Sequence, residues 1–296
     1  MPTRLQEETR KLLQGGAAAP EAVVRRGMAD ITRRLRVESS DQAGEQRAHG
    51  RALDPLRRAV LSSLGESTDL RRAVAQLRTL DAGAAKQRLA LPKGTRENAR
   101  IAMSSIVVTR VPPYDYPWSW QWQAGGASLN ASANRNTGGM SFSLWNNGND
   151  ASAAAAAALG IYFRPSVENG ILRLWSSPAF NYFWWTICAF ASAHSDGWIG
   201  LYVGRYTLAG GFDGSPVNQR ISLWSDDSWW SGAGSHSGST SAYPLFAQFN
   251  VDSAHWYALW VWCGGSVHGA GWGTFSGSGA GARMSVAVPS ITWELF

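Results

Sequence analysis

The chain has 296 residues, a formal net charge of +6 and 16 tryptophans. Its first residues are charged, and no run approaches the roughly 18 consecutive apolar residues of a membrane-spanning helix. The sequence therefore predicts neither a signal peptide nor a transmembrane segment. We expect synthesis in the cytoplasm, and the final location stays open because non-classical release is compatible with this pattern.

The composition changes abruptly at Arg110. Residues 1–110 hold 21 Lys and Arg against 12 Asp and Glu, a charge of +9, whereas residues 111–296 hold 6 Arg against 9 acids, a charge of −3. All 16 Trp, 10 Phe and 8 Tyr lie in the second part. Because each aromatic side chain buries roughly 150–250 Å², only that part has the material for a large core. We predict a basic helical arm over 1–103 and a tryptophan-rich β-domain over 104–296.

The arm shows helical periodicity from Pro20 onward. Apolar residues recur every three or four positions, which predicts a helix with one apolar face: Val24, Met28, Ile31 and Leu35. The polar residues 37–50 predict a loop, and Pro55 suits the first turn of a further helix.

A short repeat follows in the arm. The sequence Leu-Arg-Arg-Ala-Val occurs at 56–60 and again at 70–74, two heptads later. Its apolar positions predict a surface for self-association: Leu56, Val60, Leu70, Val74 and Leu77. Apolar residues do not continue over further heptads, so a loose helical bundle is favoured over a long coiled coil.

The 18 arginines of residues 1–110 raise the question of nucleic-acid binding, because clustered positive charge attracts phosphate. Acidic residues are interspersed among them, however, as on solvated helix faces. The arm also has no aromatic ring on which a base could stack. Nucleic acid is therefore not an expected partner.

The second part consists of short apolar runs separated by Gly, Ser, Asn and Asp, without long helices between them. This spacing predicts an all-β antiparallel sandwich of jelly-roll-like type, so the chain as a whole is α+β in tandem. Residues 151–159, mostly alanine, are compatible with either a helix or a strand. The predicted strands are 104–109, 119–123, 139–145, 159–164, 171–176, 182–191, 198–206, 221–224, 245–250, 256–263, 271–275 and 284–296.

Two predicted strands, within 180–190 and 256–263, are apolar on both faces. A two-sheet sandwich buries one face of each sheet, so these strands need a second cover. Either the helical arm or a neighbouring subunit can supply it, and we predict a homo-oligomer. Trp118, Trp120 and Trp122 alternate with polar residues, which predicts that they share one face in the core or in a subunit interface.

Catalytic motifs are missing from the sequence. It has no phosphate-binding loop, no nucleophile elbow and no zinc-protease motif. The histidines of the second part do not have metal-ligand spacing, and His194-Ser195-Asp196 reads as a polar loop. Cys188 and Cys263 lie in apolar runs, which favours buried thiols, with a disulfide possible if their strands are neighbours. We predict a protein that is not an enzyme and uses no cofactor or metal.

One polar segment stands out as a binding candidate. Asp226 and Asp227 precede Trp229 and Trp230 in a stretch of small polar residues that predicts an exposed loop. Indole rings beside carboxylates suit a sugar or a protein scaffold. The alternative is that both tryptophans fold back over the end of the sandwich.

Three functions are compatible with these observations. The first is a structural or assembly protein in which the arm mediates attachment or self-association. The second is a glycan-binding, lectin-like module. A membrane-active toxin is weaker, because strands that cross membranes alternate over about 10 residues and these runs do not; a membrane is not an expected partner.

Overall fold

The structure is a computed structural model that describes residues 21–64, 106–146, 150–271 and 277–296. Within them the chain forms helix α1 (Glu21–Leu64) and antiparallel strands. The prediction of an N-terminal helix followed by antiparallel sheets is confirmed. The strands are β1 (Ile106–Arg110), β2 (Tyr116–Ala124), β3 (Ser128–Asn134), β4 (Gly139–Asn146), β5 (Ala151–Phe163), β6 (Gly170–Ser176), β7 (Ala179–Thr207), β8 (Val217–Asn218), β9 (Ile221–Thr240), β10 (Leu245–Val251), β11 (His255–Gly271), β12 (Gly277–Ala287) and β13 (Ile291–Leu295).

Four of these strands form the smaller sheet, in the order β1-β13-β6-β10. Its residues alternate as a half-buried sheet requires. In β6, for example, Leu172 and Leu174 are buried whereas Ile171 and Arg173 are exposed. The sheet therefore has one face toward the core and one outer face.

The other strands form the larger sheet, in which the order is β2-β5-β11-β7-β12-β4-β3 and β7 also pairs with β8 and β9. β7 is 29 residues long and lies at the centre. β9 pairs with one edge of β7. β11 and β12 pair with different parts of the opposite edge. The predicted strands 182–191 and 198–206 are thus one strand, and the prediction of a loop at His194-Ser195-Asp196 is wrong. With four strands facing nine among the described residues, the sandwich departs from the eight strands of a jelly roll.

The larger sheet bends sharply within β7. Asp226 of β9 is opposite Ser195, yet its carboxylate accepts a hydrogen bond from the hydroxyl of Thr186. The chain between Ser195 and Thr186 would span about 30 Å if straight, so the strand must turn back between them. The pairing register shifts between Ala189 and Ala191, and a β-bulge of this kind bends a strand.

The main hydrophobic core lies between the two sheets. It joins Leu172 and Leu174 of the smaller sheet to Leu259 and Val261 of β11, and all four side chains are fully buried. Aromatic rings extend this core toward the bend, where Tyr182 and Trp224 stack with their centroids 4.8 Å apart.

Helix α1 covers the other face of the larger sheet. Ile31 and Leu35 form a second buried cluster with Trp118, Trp120 and Trp260. This contact explains why β11 is apolar on both faces, since one face meets the core and the other meets the helix. The chain's own arm thus supplies the second cover that the sequence required for 256–263, so this face does not itself call for a neighbouring subunit. No described side chain of 180–190 belongs to the cluster beneath α1.

The helix continues where the sequence predicted interruptions. It runs through residues 37–50 and through Pro55, so the predicted loop and the predicted new helix start are both wrong. Ser39 and Ala43 are buried and extend the sheet-facing side of α1 at intervals of four residues. These two small side chains let the helix lie close to the sheet, although residues 37–50 are polar in composition. No helix in the described ranges is long and apolar enough to cross a bilayer.

The alanine-rich run is a strand. β5 contains all of residues 151–159, and every side chain in the run is buried. Ala154, Ala156 and Ala158 belong to the cluster beneath α1. Their small size leaves room for the indole rings of β2 and β11 on either side. Packing therefore overrides the helix preference of alanine.

The predicted interface tryptophans lie inside the single chain. Trp118 and Trp120 are buried and Trp122 is half-buried in the cluster beneath α1. Their role between subunits stays a prediction. The buried cysteines, Cys188 and Cys263, are present as thiols.

The predicted contact residues of the arm are placed only in part. Leu56 and Val60 lie in α1, but their side chains are outside the described part of the structure. Leu70, Val74 and Leu77 lie outside the described residues, as does the predicted domain boundary at 103/104. The self-association of the arm therefore stays a prediction.

Candidate functional site

A group of polar side chains lies on the helix-covered face of the larger sheet. Strand register places His268 of β11 opposite His194 of β7, and His194 opposite Asp227 of β9. Two residues along, Ser266 of β11 lies opposite Asp196 of β7. We call these five residues the polar patch. They come from three adjacent strands, so no local sequence motif predicts that they meet.

His194 is held between two carboxylates. Its Nδ1 lies 2.7 Å from Oδ1 of Asp227 and its Nε2 lies 3.1 Å from Oδ2 of Asp196. Burial alone lowers the pKa of His194, but the hydrogen bond and charge of Asp196, helped by Asp227, outweigh burial and raise the pKa above its ordinary value. A protonated imidazole can donate from both nitrogens, and the raised pKa favours that form.

Asp196 connects two strands and the helix. Its Oδ1 accepts a hydrogen bond from the backbone N–H of Ser266 at 2.9 Å, and its Oδ2 accepts one from the Ser266 hydroxyl at 2.6 Å. The side-chain amide of Gln42 on α1 donates to Oδ2 at 3.3 Å. Burial alone raises the pKa of Asp196, but the bond and charge of His194 overcome this and leave the pKa below its usual range. Asp196 is thus a carboxylate at neutral pH.

His268 is the least satisfied member of the polar patch. Its ring is buried. The centroids of the His268 and His194 rings lie 5.7 Å apart. Neither ring nitrogen has a hydrogen-bond partner among the described residues. Burial first, and the charge of His194 second, lower the pKa of His268 to about 4. The ring is therefore neutral beside a charged neighbour.

A cavity of about 270 Å³ lies between α1 and the sheet, and Asp196 and Ser266 form part of its wall. Indole rings of Trp120 and Trp198 also line it. Its size is just below the range of about 300–1,000 Å³ for small-molecule sites, which suits a ligand of one ring. Other polar side chains that line it are Glu38, Ser39, Gln42, Arg220, Ser222 and Ser225.

Arg220 forms part of the cavity wall and packs against two indole rings. The Arg220 guanidinium donates to Oε2 of Glu38 on α1 at 2.8 Å. Its Cζ lies 5.0 Å from the ring centroid of Trp198 and 4.8 Å from that of Trp262. A Cβ at Gly264 would lie 2.5 Å from the Trp198 ring, so glycine is required there for the indole to occupy this position. The wall is consequently fixed by packing and by an ion pair to the helix.

The two predicted acidic residues face opposite sides of the sheet. Both lie in strand β9, so the prediction of a loop is wrong. The segment is rich in Gly and Ser, yet it pairs with the long strand β7. Successive residues of a strand alternate in direction. Asp227 therefore reaches His194, whereas Asp226 bonds to Thr186 on the other face.

The predicted aromatic pair is placed by its backbone alone. Trp229 and Trp230 lie in β9, and their side chains are outside what the structure describes. Their role in binding stays a prediction. Sequence reasoning placed Asp196 in a polar loop and did not single out Ser266, because only the register of β7 against β11 reveals that they meet.

The geometry defines what the site offers to a ligand. It presents a fixed carboxylate, hydroxyl groups and two indole surfaces around one small cavity. In the hydrogen-bond network of the described residues, His194 contacts carboxylates and an amide and no serine or cysteine. No set of three or more His, Cys, Asp or Glu in the described ranges is arranged to hold a metal ion.

No protein-family model matches the chain, and no curated protein matches it in sequence. Among solved structures, it is similar to the glycoside hydrolase domain of Endo-D from Streptococcus pneumoniae R6, at 12% identity over 59% of this chain and 21% of that one, with a TM-score of 0.18. The infectious bursal disease virus Gx strain structure matches at 9% identity over 69% and 40%, with a TM-score of 0.18.

A third similar structure is the CBM22-1 xylan-binding domain from Paenibacillus barcinonensis, at 8% identity over 64% of this chain and 98% of that one, with a TM-score of 0.16. The chain spans about a fifth of the first structure and two fifths of the second. Likenesses of this size do not identify a family.

Proposed function

We propose that this protein is a non-enzymatic carbohydrate-binding protein and that the cavity beneath α1 holds one sugar ring. One observation carries the proposal: the indoles of Trp120 and Trp198 line the same small cavity as the Asp196 carboxylate and Ser266. A sugar ring has an apolar face of C–H groups and a rim of hydroxyls. It therefore calls for a flat aromatic surface beside fixed hydrogen-bonding groups.

The hydrogen bonds of the polar patch support binding over catalysis. Both nitrogens of His194 lie within hydrogen-bond distance of carboxylates, so the ring is already engaged within the sheet and is poorly placed to take a proton from a ligand. Asp196 is kept ionised by that histidine, which disfavours a general-acid role. Polar groups that are already fixed lose little conformational entropy when a ligand arrives, and this favours affinity.

The proposal is tested by calorimetric titration of the full chain with a panel of monosaccharides and disaccharides. We expect at least one sugar to bind, and Trp198→Ala and Asp196→Asn each to weaken binding about tenfold or more. Leu208→Ala removes an exposed side chain in a turn and serves as the control. The cavity is rejected as the site if no sugar binds, or if loss occurs only in the Trp229→Ala/Trp230→Ala variant.

A second proposal is that the distal part of α1 mediates self-association. The helix has 44 residues, about 66 Å at 1.5 Å per residue, but its described buried side chains lie between Ile31 and Ala43. Leu56 and Val60 lie well beyond that segment. Beyond Gln46, the described side chains of the helix are all exposed: Ala48, Ala52 and Pro55.

Light scattering after size-exclusion chromatography tests self-association. We expect an oligomer for the full chain and a monomer for Leu56→Glu/Val60→Glu. Point variants are preferable to deletion of the arm, because α1 also covers the larger sheet. A wild-type chain that elutes as a monodisperse monomer contradicts the proposal.

A further inference from the structure

The side of the smaller sheet that points away from the core carries a regular array of aromatic and polar residues, which we call the outer face. Strand register arranges it in three rows that cross β13, β6 and β10. The rows are Thr292, Trp175 and Phe246; then Glu294, Arg173 and Gln248; then Phe296 and Ile171.

The apolar residues of the outer face are unusually accessible. Phe246 is 54% exposed, Phe296 50% and Ile171 42%. Trp175 is half-buried and lies directly opposite Phe246 across the β6–β10 pair. Four apolar side chains lie close together at a sheet surface, two on each side of a polar row, which indicates a recognition surface.

The middle row is fixed by mutual contacts. Nε of Arg173 donates to Oε1 of Gln248 at 3.1 Å, and a terminal guanidinium nitrogen lies 3.8 Å from Oε2 of Glu294. The Arg173 Cζ also lies 4.4 Å from the ring centroid of Phe296. One positive and one negative charge cancel within this row. The face is therefore electrically neutral, yet it is rich in hydrogen-bonding groups.

We infer that the outer face is a second binding site, for a chain of neutral sugars. Residues 171 and 175 are separated by about 13 Å along β6, and β13 and β10 by about 10 Å across the sheet. A sugar chain laid over this area meets aromatic rings at both ends and donors and acceptors between them.

The charges of the outer face favour this ligand over other classes. Nucleic acid and anionic membranes bind to an excess of positive charge, and the paired Arg173 and Glu294 provide none. The centre of a protein interface is depleted of charged residues, whereas here a charged pair occupies the centre. A hydroxyl-rich chain can hydrogen-bond to that pair without removing it from water completely.

The outer face and the cavity beneath α1 are on opposite sides of the larger sheet. The two sites have no residue in common. The inference is thus independent of the function proposed for the cavity. A chain with both sites is able to hold two carbohydrate ligands at once.

Affinity electrophoresis of the full chain tests the inference. Native gels contain one soluble neutral polysaccharide each: hydroxyethyl cellulose, xylan, galactomannan or amylopectin. We expect at least one to slow migration, and Trp175→Ala/Phe246→Ala to raise the dissociation constant about tenfold or more. Phe246→Ala alone removes an exposed ring and keeps the test valid if the double variant does not fold.

Two controls separate this site from the cavity. Leu208→Ala, at an exposed apolar residue outside the outer face, is expected to migrate like the wild type, whereas Trp198→Ala, in the cavity, is expected to remain slowed by the same polysaccharide. Retention by Trp198→Ala supports the outer face even if no monosaccharide binds to the cavity. The inference is overturned if no polysaccharide slows the wild type, or if the Trp175→Ala/Phe246→Ala variant is slowed equally. It is also overturned if the wild type is a dimer and Phe246→Ala converts it to a monomer.

Discussion

His268 provides a demanding test of the polar patch. The ring is 2% exposed, and burial followed by the charge of His194 lowers its pKa from 6.5 to about 4. Between these two pH values the unfolded chain binds a proton at this position and the folded chain does not. Stability must therefore fall as the pH falls from 6.5 to 4. At about 1.4 kcal/mol per tenfold change in proton affinity, the loss is about 3 kcal/mol.

His194 acts in the opposite direction and in a different pH range. Because its pKa is raised in the folded state, its stabilisation is complete below about pH 6.5 and is lost as the pH rises through the folded-state value. Asp196, whose pKa is lowered, stabilises the fold above about pH 4 and loses this effect below it. The wild-type chain should therefore be most stable near pH 6.5.

The measurement is a thermal unfolding series from pH 4 to 8 on wild type and His268→Leu. A change of about 3 kcal/mol corresponds to about 6–12 °C for a domain of this size, so the wild-type midpoint should fall by that amount from pH 6.5 to 4. The leucine variant should lose most of this dependence. His236→Leu, at an exposed position of β9, should keep it. Parallel curves for wild type and His268→Leu would refute the reasoning.

Three further predictions concern the packing. Leu35→Ala should cost about 2–4 kcal/mol and speed hydrogen exchange in α1; unchanged exchange would contradict helix docking through this residue. Gly197→Ala should destabilise the fold by at least about 1–3 kcal/mol, because the added Cβ would lie 2.0 Å from the Trp224 ring. Gly126→Ala, with nothing within 4 Å, is its matched control in urea unfolding, and equal midpoints would count against the packing. Burial raises the Cys263 pKa to about 12, so alkylation by iodoacetamide at pH 8 should require unfolding; rapid labelling of the native protein would show otherwise.

Periodicity alone was enough to predict the parts of the fold that depend on large apolar side chains. The spacing of Met28, Ile31 and Leu35 identified the sheet-facing side of α1, and the two-faced strand around Trp260 correctly required a second cover. The predictions from periodicity were wrong where small residues form the packing contacts. Ser39 and Ala43 continue the contact face of the helix, but their composition resembles that of a loop.

The candidate site was largely beyond sequence reasoning. Asp227 was selected for its neighbours in sequence, yet its partner is His194, which only the pairing of β7 with β9 brings close. Asp196 and Ser266 meet through the register of β7 against β11. A shift of one residue in either pairing would send these side chains to the other face. Register depends on the whole sheet, and no local pattern records it.

The pairing of β1 with β13 has a consequence for how the protein is made. Ile106 is hydrogen-bonded into a ladder opposite Leu295, so the smaller sheet closes only after residue 295 has left the ribosome. Contacts between such distant residues slow folding, because a long loop must be ordered before they form. Until then the apolar strands are exposed in an incomplete chain, and exposed strands of this kind are prone to aggregate.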